Sequence, residues 1–141
     1  MSWLVDTDVL SQPIKRNGNQ AVIEWLEREQ AGVFTSSVVI AQVALWIRTK
    51  EGAARERLQS WLRQSLRALE GRVLSFNVGV AHVWAEQQIA FEKAGVRMPL
   101  ADSYIAATAR RYNLTIATGN DKDFRRPGLK VFNPFKELSE A

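Results

Sequence analysis

Residues 3–10 read Trp3-Leu4-Val5-Asp6-Thr7-Asp8-Val9-Leu10, an apolar run that ends on a carboxylate and passes straight into a helical pattern. Four similar apolar runs lie beside turn residues at 33–35, 73–76, 114–117 and 130–132, and with 3–5 they give five expected strands. Between them lie helical patterns over 21–30, 38–49, 53–70, 78–94 and 100–112. The 53–70 stretch is the clearest: Leu58, Trp61, Leu62, Leu66 and Leu69 fall on one helical face, and Gly71 follows as a stop. Strands alternating with helices argue for a parallel sheet covered by helices, an α/β sandwich. Sites in such sheets form at the C-terminal ends of strands, which is where Asp6 is expected.

At 141 residues and 46% hydrophobic, the chain suits one domain over 1–141 with a substantial core; the last few residues are expected to fray. The absence of cysteine excludes disulfides and thiolate metal sites. The opening MSWLVDTDVL lacks the basic lead and apolar length of a signal peptide, and no apolar run approaches the roughly 18 residues that span a bilayer. The expectation is a cytoplasmic protein with no membrane partner. Net charge is +4 and pI near 9.8, with arginines gathered between Arg48 and Arg72 and at Arg110, Arg111, Arg125 and Arg126. If Asp6, Asp102 and Asp123 converge, the rest of the chain holds 19 basic residues against 12 acidic ones. An acidic pocket in a basic surface suits metal ions and phosphate.

Three segments carry the candidate chemistry. Asp6 ends the first strand; Asp8 is expected to cap the following helix, which frees Asp6. Asp102 sits in the first turn of a small-residue helix, Leu100-Ala101-Asp102-Ser103-Tyr104-Ile105-Ala106-Ala107-Thr108-Ala109. The helix dipole alone would favour a carboxylate there, but the alanines also allow the helix to approach the sheet. In the third, Thr115-Ile116-Ala117 leads into Thr118-Gly119-Asn120-Asp121-Lys122-Asp123-Phe124, which is either a plain polar turn or a way of placing Thr118, Asn120 and Asp123 at the same sheet edge as Asp6. A cluster of carboxylates has no other obvious reason to tolerate its own repulsion, so it predicts a hard divalent cation. Other chemistries are poorly supplied: there is no thiol, the single His82 lies mid-helix and reads as structural, and no Gly-rich phosphate loop is followed by Lys-Ser/Thr.

Together these segments resemble the PIN-domain toxins of the VapC type. That family opens with a strand and Asp-Thr-Asn/Asp-Val-Leu, has a helix with Asp followed by Ile-Ala-Ala-x-Ala, and has Thr-x-Asn-x-x-Asp-Phe after a late strand. It often closes like Val131-Phe132-Asn133-Pro134-Phe135, so the resemblance covers about residues 3–135. It implies a PIN-like three-layer α/β/α sandwich with a mostly parallel sheet of four to five strands. It also implies Mg²⁺ (or Mn²⁺) held by Asp6, Asp102 and Asp123, with Asp8, Thr118 and Asn120 in support. The implied activity is metal-dependent endoribonuclease cleavage of transfer or ribosomal RNA, leaving 5′-phosphate and 3′-hydroxyl ends.

The family carries a glutamate where this chain reads Ala41-Gln42-Val43, so Gln42 stands at an acidic position among the catalytic residues. Glutamine keeps the shape and loses the charge, and impaired catalysis is expected. The resemblance further implies a VapB-type antitoxin, whose groove would include Trp46, Leu58, Trp61 and Leu62, and a homodimer. Trp25, Trp46, Trp61 and Trp84 otherwise read as core. Two rival readings remain. Asp6-Thr7-Asp8-Val9 also resembles the opening of haloacid-dehalogenase-like phosphohydrolases, and Gln42 is compatible with a PIN module that binds RNA or antitoxin without turnover.

Overall fold

Leu4 and Val5 are wholly buried, because the strand that carries them lies at the centre of a five-stranded parallel sheet. The computed structural model describes residues 1–138; residues 139–141, where fraying was expected, lie outside the described residues. The chain runs β1 (Trp3–Val5), α1 (Thr7–Leu10), α2 (Gln20–Arg28), β2 (Val33–Ser36), α3 (Ser37–Arg48), α4 (Gly52–Ala68), β3 (Val73–Leu74), α5 (Val78–Ala94), α6 (Leu100–Arg111), β4 (Thr115–Ala117), α7 (Asp121–Phe124), β5 (Val131–Phe132) and α8 (Pro134–Glu137). The sheet order is β3-β2-β1-β4-β5. From β1 the chain winds outward to β2 and β3, then crosses to β4 on the other side and on to β5. Right-handed crossovers in opposite directions place helices on both faces, the expected three layers. The strand order therefore reverses between β1 and β4, and ligand sites open at such a switch, outside the strand C-termini.

Local sequence sets these boundaries. Ser36, Asn19 and Asn77 each cap a helix by accepting a hydrogen bond from the backbone N–H three residues on, at Val39, Val22 and Val80. Ser36 is also the last residue of β2, so α3 starts with no linker. The strand expected over 73–76 stops at Leu74, because Asn77 caps α5 and the N–H of Phe76 turns to the Ser37 hydroxyl at 3.3 Å. Gly95 ends α5 in the left-handed region at φ 70°. In α6, Ser103, Ala106 and Ala107 are buried, and the Trp84 indole of α5 donates to the Ser103 hydroxyl at 2.9 Å. Small residues thus let α6 press close, which carries Asp102 in its first turn toward the strand ends.

Candidate metal centre

β1 and β4 pair in register, Trp3 with Thr115, Leu4 with Ile116 and Val5 with Ala117, so the next residue on each strand, Asp6 and Thr118, emerges side by side. The N–H of Asp6 donates to the Ala117 carbonyl at 2.9 Å. Asp6 is only 8% exposed. It accepts from the Thr7 N–H and from the Thr118 hydroxyl, each at 2.8 Å. Asp6, in extended backbone conformation, is therefore the N-cap of α1, whereas the sequence assigned that role to Asp8. Asp8 instead lies in the first turn of α1, where one carboxylate oxygen accepts from the Gly119 N–H at 2.9 Å and the other is buried with no hydrogen-bond partner among the described residues. The expectation that capping by Asp8 frees Asp6 is thus corrected: Asp6 caps the helix and faces the site as well.

Asp102 enters from α6. Burial and the charges of Asp6, Asp123 and Asp8 push its carboxyl up to about 6. Burial and Asp6 push Asp8 up to about 6, and burial raises Asp6 as well. Asp8 and Asp102 therefore both sense the charge of Asp6 across a shared space. Asp123, on α7, accepts from the Asn120 amide at 2.9 Å, and the Asn120 N–H donates to the Thr118 hydroxyl at 3.0 Å. Thr118 thereby ties Asp6 to the turn that positions Asp123. Gln42 reaches the same place from α3, its amide oxygen accepting from the Thr7 hydroxyl at 2.6 Å.

These groups border a cavity of about 610 Å³ lined by Asp6, Thr7, Asp8, Gln42, Asp102 and Asn120 on its polar side. Asp123 accepts from Asn120 but does not itself line the cavity. The donors are carboxylate, amide and hydroxyl oxygens, the hard set that Mg²⁺ and Mn²⁺ prefer, and the orphaned Asp8 oxygen is a polar atom lacking the partner that a cation or its water would provide. Among the described residues no three acidic or histidine side chains form a ready-made direct ligand group. Mg²⁺ usually takes only one or two carboxylates directly and keeps several waters.

Other features fall elsewhere. Leu58 is 4% exposed and belongs to the core, so it does not face a groove. Trp61 and Leu62 are half-buried against the core, and Leu62 also borders a cleft of about 260 Å³ with Ile47 and Arg48 of α3. Trp46 lines the acid cavity. Trp25 is core, as expected, and His82 is exposed on α5. Sequence reading passed over Lys15, Thr7, Leu45 and Thr49 as cavity residues. Leu45, Trp46 and Thr49 follow Gln42 at helical spacings of three, four and seven, so that periodicity would have found them. Lys15 has no such signal.

The sequence profile of the PIN domain matches residues 3–129. Toxin FitB of Neisseria gonorrhoeae is 33% identical over 137 residues, covering 95% of this chain and 99% of that protein. VapC ribonuclease Y4jK of Sinorhizobium fredii is 28% identical over 136 residues, covering 94% and 97%. The solved structure of FitAcB from Neisseria gonorrhoeae superposes with a TM-score of 0.88 at 33% identity, covering 95% of this chain and 99% of that one. The Asp6–Asp8 pair therefore stands in a PIN context along nearly its whole chain, not in the phosphohydrolase context that its four residues also resemble. The chain belongs to the PIN-domain family.

Proposed function

We propose that this protein is a divalent-metal-dependent endoribonuclease that serves as the toxin of a VapBC-type pair, with transfer or ribosomal RNA as substrate. The observation that carries the reading is the convergence of Asp6, Asp8 and Asp102 on one cavity at the β1/β4 switch point, where burial and neighbouring carboxylates push Asp8 and Asp102 up to about 6. Relatives named as a toxin and as a VapC ribonuclease support it.

Asp6 and Asp102 would hold the cation, Asp8 and Asp123 would hold its water shell, and Thr118 and Asn120 would keep Asp6 and Asp123 aimed. A bound Mg²⁺ or Mn²⁺ would supply Lewis acidity toward a phosphate oxygen and a water of lowered pKa. Gln42 offers an oxygen but no charge and no proton acceptor, so turnover is expected to be attenuated by about 10-fold or more relative to a glutamate there. An amphipathic antitoxin helix would lie along α3 and α4 by way of Trp61 and Leu62, with Trp46 where that groove meets the cavity. The exposed Val78 and Leu100 support a homodimer that covers them.

The test is induced expression of the chain in bacteria, beside its Asp6→Asn variant. Growth arrest with discrete RNA fragments ending in 5′-phosphate and 3′-hydroxyl, relieved by Asp6→Asn, is the expected result. Identical growth and intact RNA in both cultures would refute nuclease action in the cell. Gln42 also favours a second reading, a PIN module that binds RNA without turnover; salt-sensitive RNA binding by the purified chain with no product in Mg²⁺ would select it.

A further inference from the structure

The acid cavity has a wall that metal chemistry does not use. A hydrated ion with about six waters at about 30 Å³ each fills on the order of 180 Å³. The cavity holds about 610 Å³, a size that suits a small organic ligand (about 300–1,000 Å³). Its lining also includes Leu45 and Trp46, two and one positions before Ile47, which anchors α3 in the core. Leu45 is 68% exposed. Trp46 is half-buried against the core, so its indole is held in place by packing. Lys15 lines the same cavity, and the ammonium of the exposed Lys50 lies over the indole, 5.9 Å from the ring centroid, so the ring already attracts a mobile charged group. An aromatic ring and a lysine in the same cavity as an oxygen-ligand site for phosphate chemistry match a ligand that is itself flat, apolar on its faces and anionic at its edge.

We propose that Trp46 is a nucleobase platform: an unpaired base of the RNA strand stacks on the indole beside the reacting phosphate, and Lys15 takes a neighbouring phosphate. This deepens the nuclease reading and rests on it for the identity of the strand. A base in a duplex offers no free face to the indole, so the platform selects single-stranded or splayed segments. Stacking of this kind changes affinity by roughly 5- to 150-fold per base when the aromatic ring is removed.

The test is fluorescence anisotropy of a labelled short single-stranded RNA in EDTA, so that no cleavage intervenes. The same RNA with abasic sites at every position serves as comparison. The unaltered protein should bind intact RNA about 10-fold or more tightly than abasic RNA. Trp46→Ala should lose that preference, binding intact RNA about 10-fold more weakly and abasic RNA unchanged, and Trp46→Phe should retain most of it. Equal affinity of the unaltered protein for intact and abasic RNA overturns the proposal whether or not either variant folds. So does a Trp46→Ala variant that keeps its base preference and loses only self-association or binding of an antitoxin helix. Failure of the nuclease reading looks different: base-dependent binding through Trp46 with no metal-dependent product in Mg²⁺ would keep the platform and remove the enzyme.

Discussion

Replacing Asp102 by asparagine is predicted to stabilise the metal-free protein at neutral pH. The carboxyl is half-buried, faces Asp6, Asp123 and Asp8, and has its pKa raised from 3.8 to about 6. A raised pKa means that the folded chain holds the proton more tightly than the unfolded one. The associated stabilisation is complete below pH 3.8 and is lost as pH climbs through about 6. At about 1.4 kcal/mol per pKa unit the full shift corresponds to a ceiling of about 3 kcal/mol. Solvent in the open cavity screens much of that, and the N-terminus of α6 returns roughly 0.3–1 kcal/mol to the ionised form. A net gain of about 1 kcal/mol remains for Asp102→Asn above pH 7. In urea this is a midpoint rise of about 0.5 M at pH 7.5, shrinking to nothing near pH 3.5. Saturating Mg²⁺ should then raise the unaltered protein's midpoint more than the variant's, because the ion takes over the role of the proton. A variant that is unchanged or weaker at pH 7.5, or a gain that persists at pH 3.5, would refute the reasoning that these carboxylates repel one another.

Three further outcomes follow from the same geometry. Thr118→Val removes a buried hydroxyl that donates to Asp6 and accepts from the Asn120 N–H, and should cost about 2 kcal/mol, read as a drop of about 6 °C in melting temperature, together with weaker Mg²⁺ binding by calorimetry. Gly119→Ala would place a methyl 2.5 Å from an Asp8 carboxylate oxygen and 3.0 Å from the Phe135 ring. A loss of about 1–3 kcal/mol in chemical denaturation is expected. Gln42→Glu adds a charge beside carboxylates that already repel. It should lower the urea midpoint without metal at pH 7.5 and raise it above the unaltered protein's in saturating Mg²⁺.

Much of this architecture is legible in the residues because the strongest signals are local. Continuous apolar runs at 3–5 and 114–117 announce buried strands, and the small side chains of 101–109 announce a helix that lies close to its neighbour. Strand ends are less legible: 73–76 is apolar enough to continue, and only the competition between a ladder bond and the Asn77 cap shortens it. Among site residues, Asp6, Asp102 and Asp123 are placed by topology, since each follows or faces a strand end. The reversal of Asp6 and Asp8 as helix cap depends on the backbone angle at the end of β1, which side-chain identity does not encode. Leu58 illustrates a second limit: the apolar stripe of α4 is plain in the sequence, but whether a given residue faces the core or a partner is decided by packing against α3. Lys15 reaches the cavity through the turn at Gln12–Ile14, which carries no periodicity.

We propose a divalent-metal ribonuclease site in the acid cavity, weakened by a glutamine at an acidic position. Its most direct test is cleavage of bacterial transfer and ribosomal RNA by the purified chain and its Gln42→Glu variant, in Mg²⁺, in Mn²⁺ and in EDTA. Discrete fragments only when metal is present, formed about 10-fold or more faster by Gln42→Glu, are the predicted result. Silence of both proteins toward every RNA fraction in either metal, or fragments that persist in EDTA, would contradict it.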